Sequence, residues 1–251
     1  MMDGQAPPSE GMPGIARAAV PTHATGVYDR IRDDLLEGRL RPGARLQIRA
    51  LMERYAIGQT PLREALNRLT ADGLVECRDQ RGFTVPGVSA EELTELTRTR
   101  CWLEERGLRE SMAAANPAWE EGLVLAHLRL ARTPRVPTGE DAAGITEWEA
   151  RHRAFHRALI AGCGSRWLIA FCEQLTDRHQ RYRRLAARRA FPGRDVEREH
   201  ADILAAVLAR DVDGAVALLV SHYEATAAVI LDDAVLFAAA TPASGAPHPR
   251  V

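Results

Sequence analysis

Apolar residues in the N-terminal third of the chain follow a helical period, then a strand period, and the switch between them outlines a small module. Val27, Ile31, Leu35 and Leu36 keep helical spacing over residues 25–38, and Arg41-Pro42-Gly43 then turns the chain. A short helix is predicted over residues 48–54, a tight turn through Ala56, Ile57 and Gly58, and a second helix opened by Gln59 and Thr60. Pro61 is expected at its first position, where the missing N–H costs nothing. Leu62, Ala65, Leu66 and Leu69 form an i, i+3, i+4, i+7 stripe that must face a core. Gln59, Thr60, Arg63, Asn67 and Arg68 are left on other faces. Gly73 ends the helix. Leu74, Val75, Glu76 and Cys77 alternate, residues 79–82 turn, and Phe83, Thr84 and Val85 resume, which reads as a two-stranded wing.

Val85-Pro86-Gly87-Val88 is the predicted hinge, since the period returns to helical just after it. Ser89 followed by Glu92 is a capping-box signature for a long helix that ends before Asn116-Pro117. Further helices are predicted at about 117–132, 140–162, 165–190, 193–210 and 212–234. Six helices on short loops predict an antiparallel bundle, which builds sites from side chains on facing helices. Residues 1–23 and 236–251 have no periodicity and read as disordered tails. The fold class expected is therefore mainly α: a winged helix-turn-helix at residues 24–88 and a six- to seven-helix bundle at 89–235.

A helix-turn-helix with a wing places its second helix in the major groove, with the N-terminal side chains at base edges. Arg63 and Arg68 can reach guanine or phosphate, and Gln59 and Asn67 can pair with adenine. The competing reading is a small α/β domain with an ordinary solvated helix face. Net charge, −1 over 251 residues, requires any DNA-binding charge to be local. All the positive charge is arginine, the better fork for guanine and phosphate. Cys77, Cys101, Cys163 and Cys172 show no CxxC pairing; reduced thiols in a cytoplasm are expected, with Cys163 and Cys172 the pair within conceivable reach. No apolar run reads as long enough to span a bilayer.

Inside the predicted bundle, His152, Phe155, His156, Leu159 and Cys163 share a stripe. His200 lies with Val196, Ile203, Leu204 and Val207, and His222 with Leu218, Leu219, Thr226 and Val229. Three helices thus each turn histidine inward. One inward histidine is usually a satisfied core residue; several converging need a shared partner, which a borderline ion such as zinc or nickel supplies. Arg100 and Glu104, one turn apart, are either a surface pair or an inward one. The basic run at 178–189 reads as mostly a solvated or partner-facing face. Two histidines four apart resemble a zinc-hydrolase motif, but Arg153 stands where such enzymes need a glutamate. No nucleophile-elbow, P-loop or dinucleotide fingerprint occurs, and a metal-dependent enzyme is the minor alternative.

RPGARL, YAIGQTPLREALNRLTADGLV and QRGFTV together resemble the winged head of the GntR superfamily of bacterial regulators, in the branch named for FadR. HRAFHRALIAGCGS, EREHADILAAVLARD and LLVSHYEA are similar to its FCD ligand-binding domain. The resemblance implies DNA contacts at Arg49, Gln59, Thr60 and Arg63, with Arg81 and Gly82 at the wing tip. Gln59 departs from the arginine often found there. It further implies a divalent metal on His156, His200 and His222. His152 occupies the place of the usual aspartate, so a fourth imidazole replaces a negative charge. Arg100, with Glu104, is implied to grip an effector carboxylate. The expected protein is a cytoplasmic, homodimeric transcription regulator acting as a repressor on a pseudo-palindromic double-stranded operator, not an enzyme, with no membrane partner. A net positive pocket would make its effector a small mono- or dicarboxylate; a purely structural or sensed metal is the alternative.

Overall fold

Ile31, Leu35, Leu62, Leu66, Leu69 and Leu74 are all but closed to solvent, and around them the N-terminal third folds. The computed structural model describes residues 23–78, 82–135, 142–186, 194–233 and 236–237; the predicted tails lie almost wholly outside these. Helix α1 (His23–Leu36) packs on α3 (Gln59–Ala71), which follows α2 (Ile48–Tyr55) through Ala56 in the left-handed region at φ 51°. Gly58 is the N-cap of α3, so Pro61 sits at the third helical position rather than the first. The proline is still harmless there, because the first four N–H groups of a helix have no intrahelical acceptor.

The wing has three strands, not two. Strands β2 (Glu76–Arg78) and β3 (Gly82–Thr84) pair antiparallel, and β1 (Arg45–Leu46) adds to the other edge of β3, with Leu46 opposite Phe83. Two residues are too few to display alternation, so β1 was invisible in the pattern. Leu74 and Val75 precede β2 rather than belonging to it; both N–H groups bond to Leu69 O and their side chains close the core.

From Val88 onward the chain belongs to the bundle, since Val88 packs with Leu93, Leu96, Tyr182 and Ile230. The helices are α4 (Ala90–Ala114), α5 (Pro117–Ala131), α6 (Ala142–Ile160), α7 (Arg166–Ala186), α8 (Val196–Leu208) and α9 (Val212–Leu231). Helix α4 packs against α6, α7 and α9, while α5 and α8 close the other side. The capping box of α4 is closed through a third residue. Ser89 Oγ accepts the Glu92 N–H at 3.0 Å, but Ser89 N–H donates to Tyr182 Oη at 3.1 Å, and that hydroxyl donates to Glu92 Oε2 at 2.5 Å. Helix α9 corrects the sequence reading in one respect: by length and composition it could cross a membrane. Here it is the central helix of the bundle, apolar because α4 and α8 cover it, and it turns His222, Tyr223 and Thr226 inward.

Helix α7 also departs from expectation. His179, Arg181, Tyr182 and Arg183 are buried, so the basic run is not a solvated face, at least as far as Ala186; its remainder lies outside the described residues. Its outer side joins the two halves. Asp177 accepts Arg32 Nε at 3.0 Å and Nη2 at 2.5 Å from α1, and also Arg153 of α6. Arg181 donates to the hinge carbonyls of Pro86 and Gly87. Gly73, at φ +71°, lies against the Arg178 guanidinium, where a Cβ would collide.

Candidate metal centre and nucleic-acid interface

Residues 24–88 carry eleven arginines against nine carboxylates, a local excess of positive charge within a chain of net −1. Gln59 and Thr60 open α3, and Arg63 and Asn67 follow at one-turn intervals; all four are exposed because the Leu62, Ala65, Leu66, Leu69 stripe takes the opposite face. Arg49, in the first turn of α2, is 94% exposed and only loosely paired with Glu53 at 3.4 Å. Arg68 is separate from this group: it lies in the last turn of α3 with its guanidinium 4.4 Å from the Tyr28 ring centroid. Gly82 begins β3 and is exposed, at φ +74°; Arg81 lies outside the described residues.

Some distance along the chain, α6, α8 and α9 bring His152, His156, His200 and His222 together. All four are buried, and one ring nitrogen from each lies within 4.8 Å of the others. Their rings contact one another at centroid separations from 4.5 to 6.1 Å, and Trp148 stacks on His152 at 4.7 Å. Burial, then the neighbouring cations and imidazoles, holds His152 and His156 well below the ordinary histidine range, and lowers His200 to about 2. Burial lowers His222 as well, against a rise from Glu199. The rings are thus neutral, the state that coordinates a cation.

Charged groups complete the arrangement. His222 Nδ1 donates to Glu199 Oε2 at 2.7 Å, and Arg194 clamps the same carboxylate through Nε at 3.0 Å and Nη2 at 2.5 Å. Burial would raise Glu199, but these bonds hold it down to about 2. This carboxylate–histidine pair orients the His222 ring with its other nitrogen toward the cluster. His200 Nε2 is buried without a hydrogen-bond partner among the described residues. Four neutral imidazoles, one backed by a carboxylate and one with an orphaned nitrogen, fit a borderline divalent ion and offer nothing to a hard one.

Arg100 and Glu104 are a buried pair, not a surface one: Arg100 Nε and Nη2 lie 2.9 and 2.8 Å from Glu104 Oε1, and the guanidinium sits 4.2 Å from the Tyr223 ring centroid. Burial would lower Arg100, but Glu104, together with Tyr223 and Cys172, raises it overall. Arg100, Arg183 and Arg194 each meet a carboxylate, in Glu104, Glu149 and Glu199, so these side chains by themselves add no net positive charge to the interior. Beside Glu104 and His156 the open space is only about 10 Å³, whereas a cleft of about 420 Å³ lies by Arg135, Trp148 and Arg194.

The pattern of bacterial regulatory proteins of the gntR family matches residues 23–85, and that of the FCD domain matches residues 95–225. The HTH-type transcriptional regulator BphR of Paraburkholderia xenovorans is 36% identical over 81% of this chain and 83% of its own. The chain belongs to the GntR family. The HTH-type transcriptional repressor GlaR of Escherichia coli is likewise 36% identical, over 78% of this GntR protein and 90% of GlaR. Among solved structures, E. coli McbR/YncC shares the fold with a TM-score of 0.69 at 24% identity, covering 83% of this chain and 97% of that one. A GntR regulator from Rhodococcus gives 0.64 at 26% identity, covering 84% and 98%. These relatives are regulators, so this GntR protein is a DNA-binding transcription regulator and not an enzyme.

Sequence reasoning missed several residues of the GntR protein's interior. Arg183, itself paired with Glu149, contacts His152; Glu199 bonds to His222 and is clamped by Arg194; Tyr223 bonds to His156 and Glu104. His179 is buried on α7 with neither ring nitrogen partnered among the described residues. Tyr223 follows His222 directly and Glu199 precedes His200, so adjacency to a suspected ligand was the one available signal. Arg183 and His179 had none, being inside a run that reads as solvated.

Proposed function

We propose that this GntR regulator is a homodimeric, cytoplasmic repressor whose operator affinity is set by a small organic carboxylate bound in the helical domain beside a divalent transition ion, zinc or nickel. The observation that carries the reading is the buried histidine cluster, because four neutral imidazoles around a divalent ion leave its charge uncompensated and an anion is the natural complement. His152, His156, His200 and His222 are the proposed surroundings of the ion. Arg100, with Glu104, is the proposed anchor of the effector carboxylate, which must displace Glu104 to reach the guanidinium. Gln59, Thr60, Arg63 and Asn67 are assigned to base edges, and Arg49, Arg68, Arg81 and Gly82 to the backbone of a pseudo-palindromic operator. Trp102 on α4, with Trp167 and Phe171 on α7, are large apolar side chains left exposed and are assigned to the dimer interface. The residue ranges 24–88 and 89–235 are proposed as the two functional units.

Binding an anion at the ion and at Arg100 ties α4 to α6, α8 and α9, and α4 follows the hinge directly. The heads are then re-aimed relative to half-sites, to the extent that the anion prefers one arrangement over the other. The test is a thermal-shift screen of carboxylates, operator titration with any hit, and elemental analysis of the same sample. One equivalent of metal and release of DNA by one carboxylate are expected, with Arg100→Ala keeping DNA binding but losing the response. Release at the wild-type ligand concentration by the Arg100→Ala protein would remove the arginine from the site.

A further inference from the structure

We propose that the outer face of α5 is a self-docking surface, on which α5 of a second copy packs antiparallel and joins two homodimers into a four-chain assembly. The count of chains rests on the aromatic face of α4 and α7 forming the dimer, as proposed above; the docking itself does not.

Helix α5 is apolar on both sides. Its inner side seats Trp119, Leu123 and Leu130 in the bundle core. Its outer side shows Val124 at 40%, Leu125 at 45% and Leu128 at 41% exposed. A helix covered on one side only is polar on the other, and a helix apolar all round is one that is covered all round. Leu208, 47% exposed, lies at the end of α8, which the Arg210–Glu120 ion pair fastens to the first turns of α5. Helix α5 packs on α6 and α8, whereas Trp102, Trp167 and Phe171 stand on α4 and α7, so these aliphatic groups form a second patch.

The charges around the patch decide what covers it. Glu121, Leu125, Leu128 and Arg132 follow at i, i+4, i+7 and i+11, a single stripe along the exposed side. Glu121 and Arg132 stand about 8 Å along the axis to either side of the midpoint between the two leucines, and Arg129 lies one turn before Arg132. None of these three charged side chains has a hydrogen bond or ion pair among the described residues, whereas the neighbouring Glu120 is engaged by Arg210. The helix dipole accounts for acid at the start of α5 and base at its end, but not for bare aliphatic groups between them. A stripe reading acid, leucine, leucine, base is its own complement under a two-fold axis through its midpoint. Antiparallel packing of two such helices sets leucine on leucine and Glu121 of each copy against Arg132 of the other; parallel packing sets like charges together.

The contact is small. A helix of 15 residues is about 22 Å long, and one such pair buries less than the roughly 1,200 Å² of a stable specific interface. Joining is therefore weak between free dimers and stronger between dimers held on one DNA molecule, where tethering raises their effective concentration. Such a contact suits a regulator that bridges two operators.

The test is sedimentation velocity of the full chain over about a hundredfold range of concentration reaching the high micromolar, with circular dichroism confirming the fold of each variant. The variants are Leu125→Asp, Glu121→Arg, the double exchange Glu121→Arg with Arg132→Glu, and Trp167→Ser on the aromatic face. Wild type should pass from two-chain to four-chain particles as concentration rises. Leu125→Asp and Glu121→Arg should each weaken that step at least about tenfold, and the double exchange should restore it to within about threefold of wild type. Trp167→Ser should leave two-chain particles that adding Leu125→Asp splits into single chains. Wild type that never exceeds two chains and is matched by Leu125→Asp, or four-chain particles indifferent to Leu125→Asp, overturns the proposal and leaves the dimer assignment standing. A double exchange no stronger than Glu121→Arg overturns the antiparallel pairing. Two-chain particles that depend on Leu125 and not on Trp167 uphold self-docking on α5 and overturn the aromatic face as the dimer interface.

Discussion

Arg63 stands one turn into α3, exposed beside Gln59 and Asn67, on the face opposite the buried leucines. Arg63→Ala should cost about 1–3 kcal/mol in operator binding with the fold intact. A gel-shift titration measures it, and unchanged affinity would mean that another surface enters the groove. His179 presents the reverse case, a buried side chain with no hydrogen-bond partner among the described residues. Burial, then Arg100 and Arg183, holds it well below the ordinary histidine range, so it is neutral when folded and takes a proton when unfolded. With the folded value depressed, its stabilising contribution is present above about pH 6.5 and is lost progressively as pH falls below that. His179→Leu removes two buried unpartnered nitrogens and that proton uptake together. The variant should gain about 1 kcal/mol near neutrality, and its advantage should widen toward acid by up to about 1.4 kcal/mol per pH unit. Urea denaturation at pH 5.5 and 7.5 checks this; a less stable variant would show that His179 has a partner in solution.

Helix α7 is the element through which the two halves meet. Within two turns it contributes Asp177 to α1, Arg178 beneath Gly73 and Arg181 to the hinge carbonyls, while Arg183 faces His152. One continuous helix, rather than a loop, thus joins the cluster to the head. Asp177→Asn leaves Arg32 and Arg153, both largely covered, without their shared carboxylate. That substitution should lower stability by about 1–3 kcal/mol and blunt the effector's influence on DNA binding without abolishing DNA binding itself. Denaturant unfolding and operator titration with and without the effector provide the two readouts. Full retention of the effector response would assign the coupling to another element.

For the whole molecule, net charge −1 means that attraction to DNA comes from the arginines of the head alone. Each phosphate contact contributes about 0.9 to the slope of log affinity against log salt concentration. Arg49→Ala should therefore lower the slope by about two if two heads bind one operator, and by about one if a single head does. Fluorescence anisotropy over a range of salt concentrations decides between them, and an unchanged slope would remove Arg49 from the backbone contacts.

Element order was legible in the sequence because helical and strand periods are local properties. Leu62, Ala65, Leu66 and Leu69 announce the buried face of α3 at any distance from the rest, and Ser89 with Glu92 announces the start of α4. The inward histidines were legible for the same reason, since each lies on its own helix's apolar stripe. What completes them comes from elsewhere in the chain. Tyr182 closes the α4 cap across 90 residues, Arg183 reaches His152 across 31, and Asp177 meets Arg32 across 145. No periodicity encodes such pairs, because periodicity records which way a side chain faces and not what it will meet. A run of arginines looks solvated until tertiary packing brings Glu149, the hinge carbonyls and an imidazole to its inner side. Only that packing decided that imidazoles from three helices meet in one buried cluster.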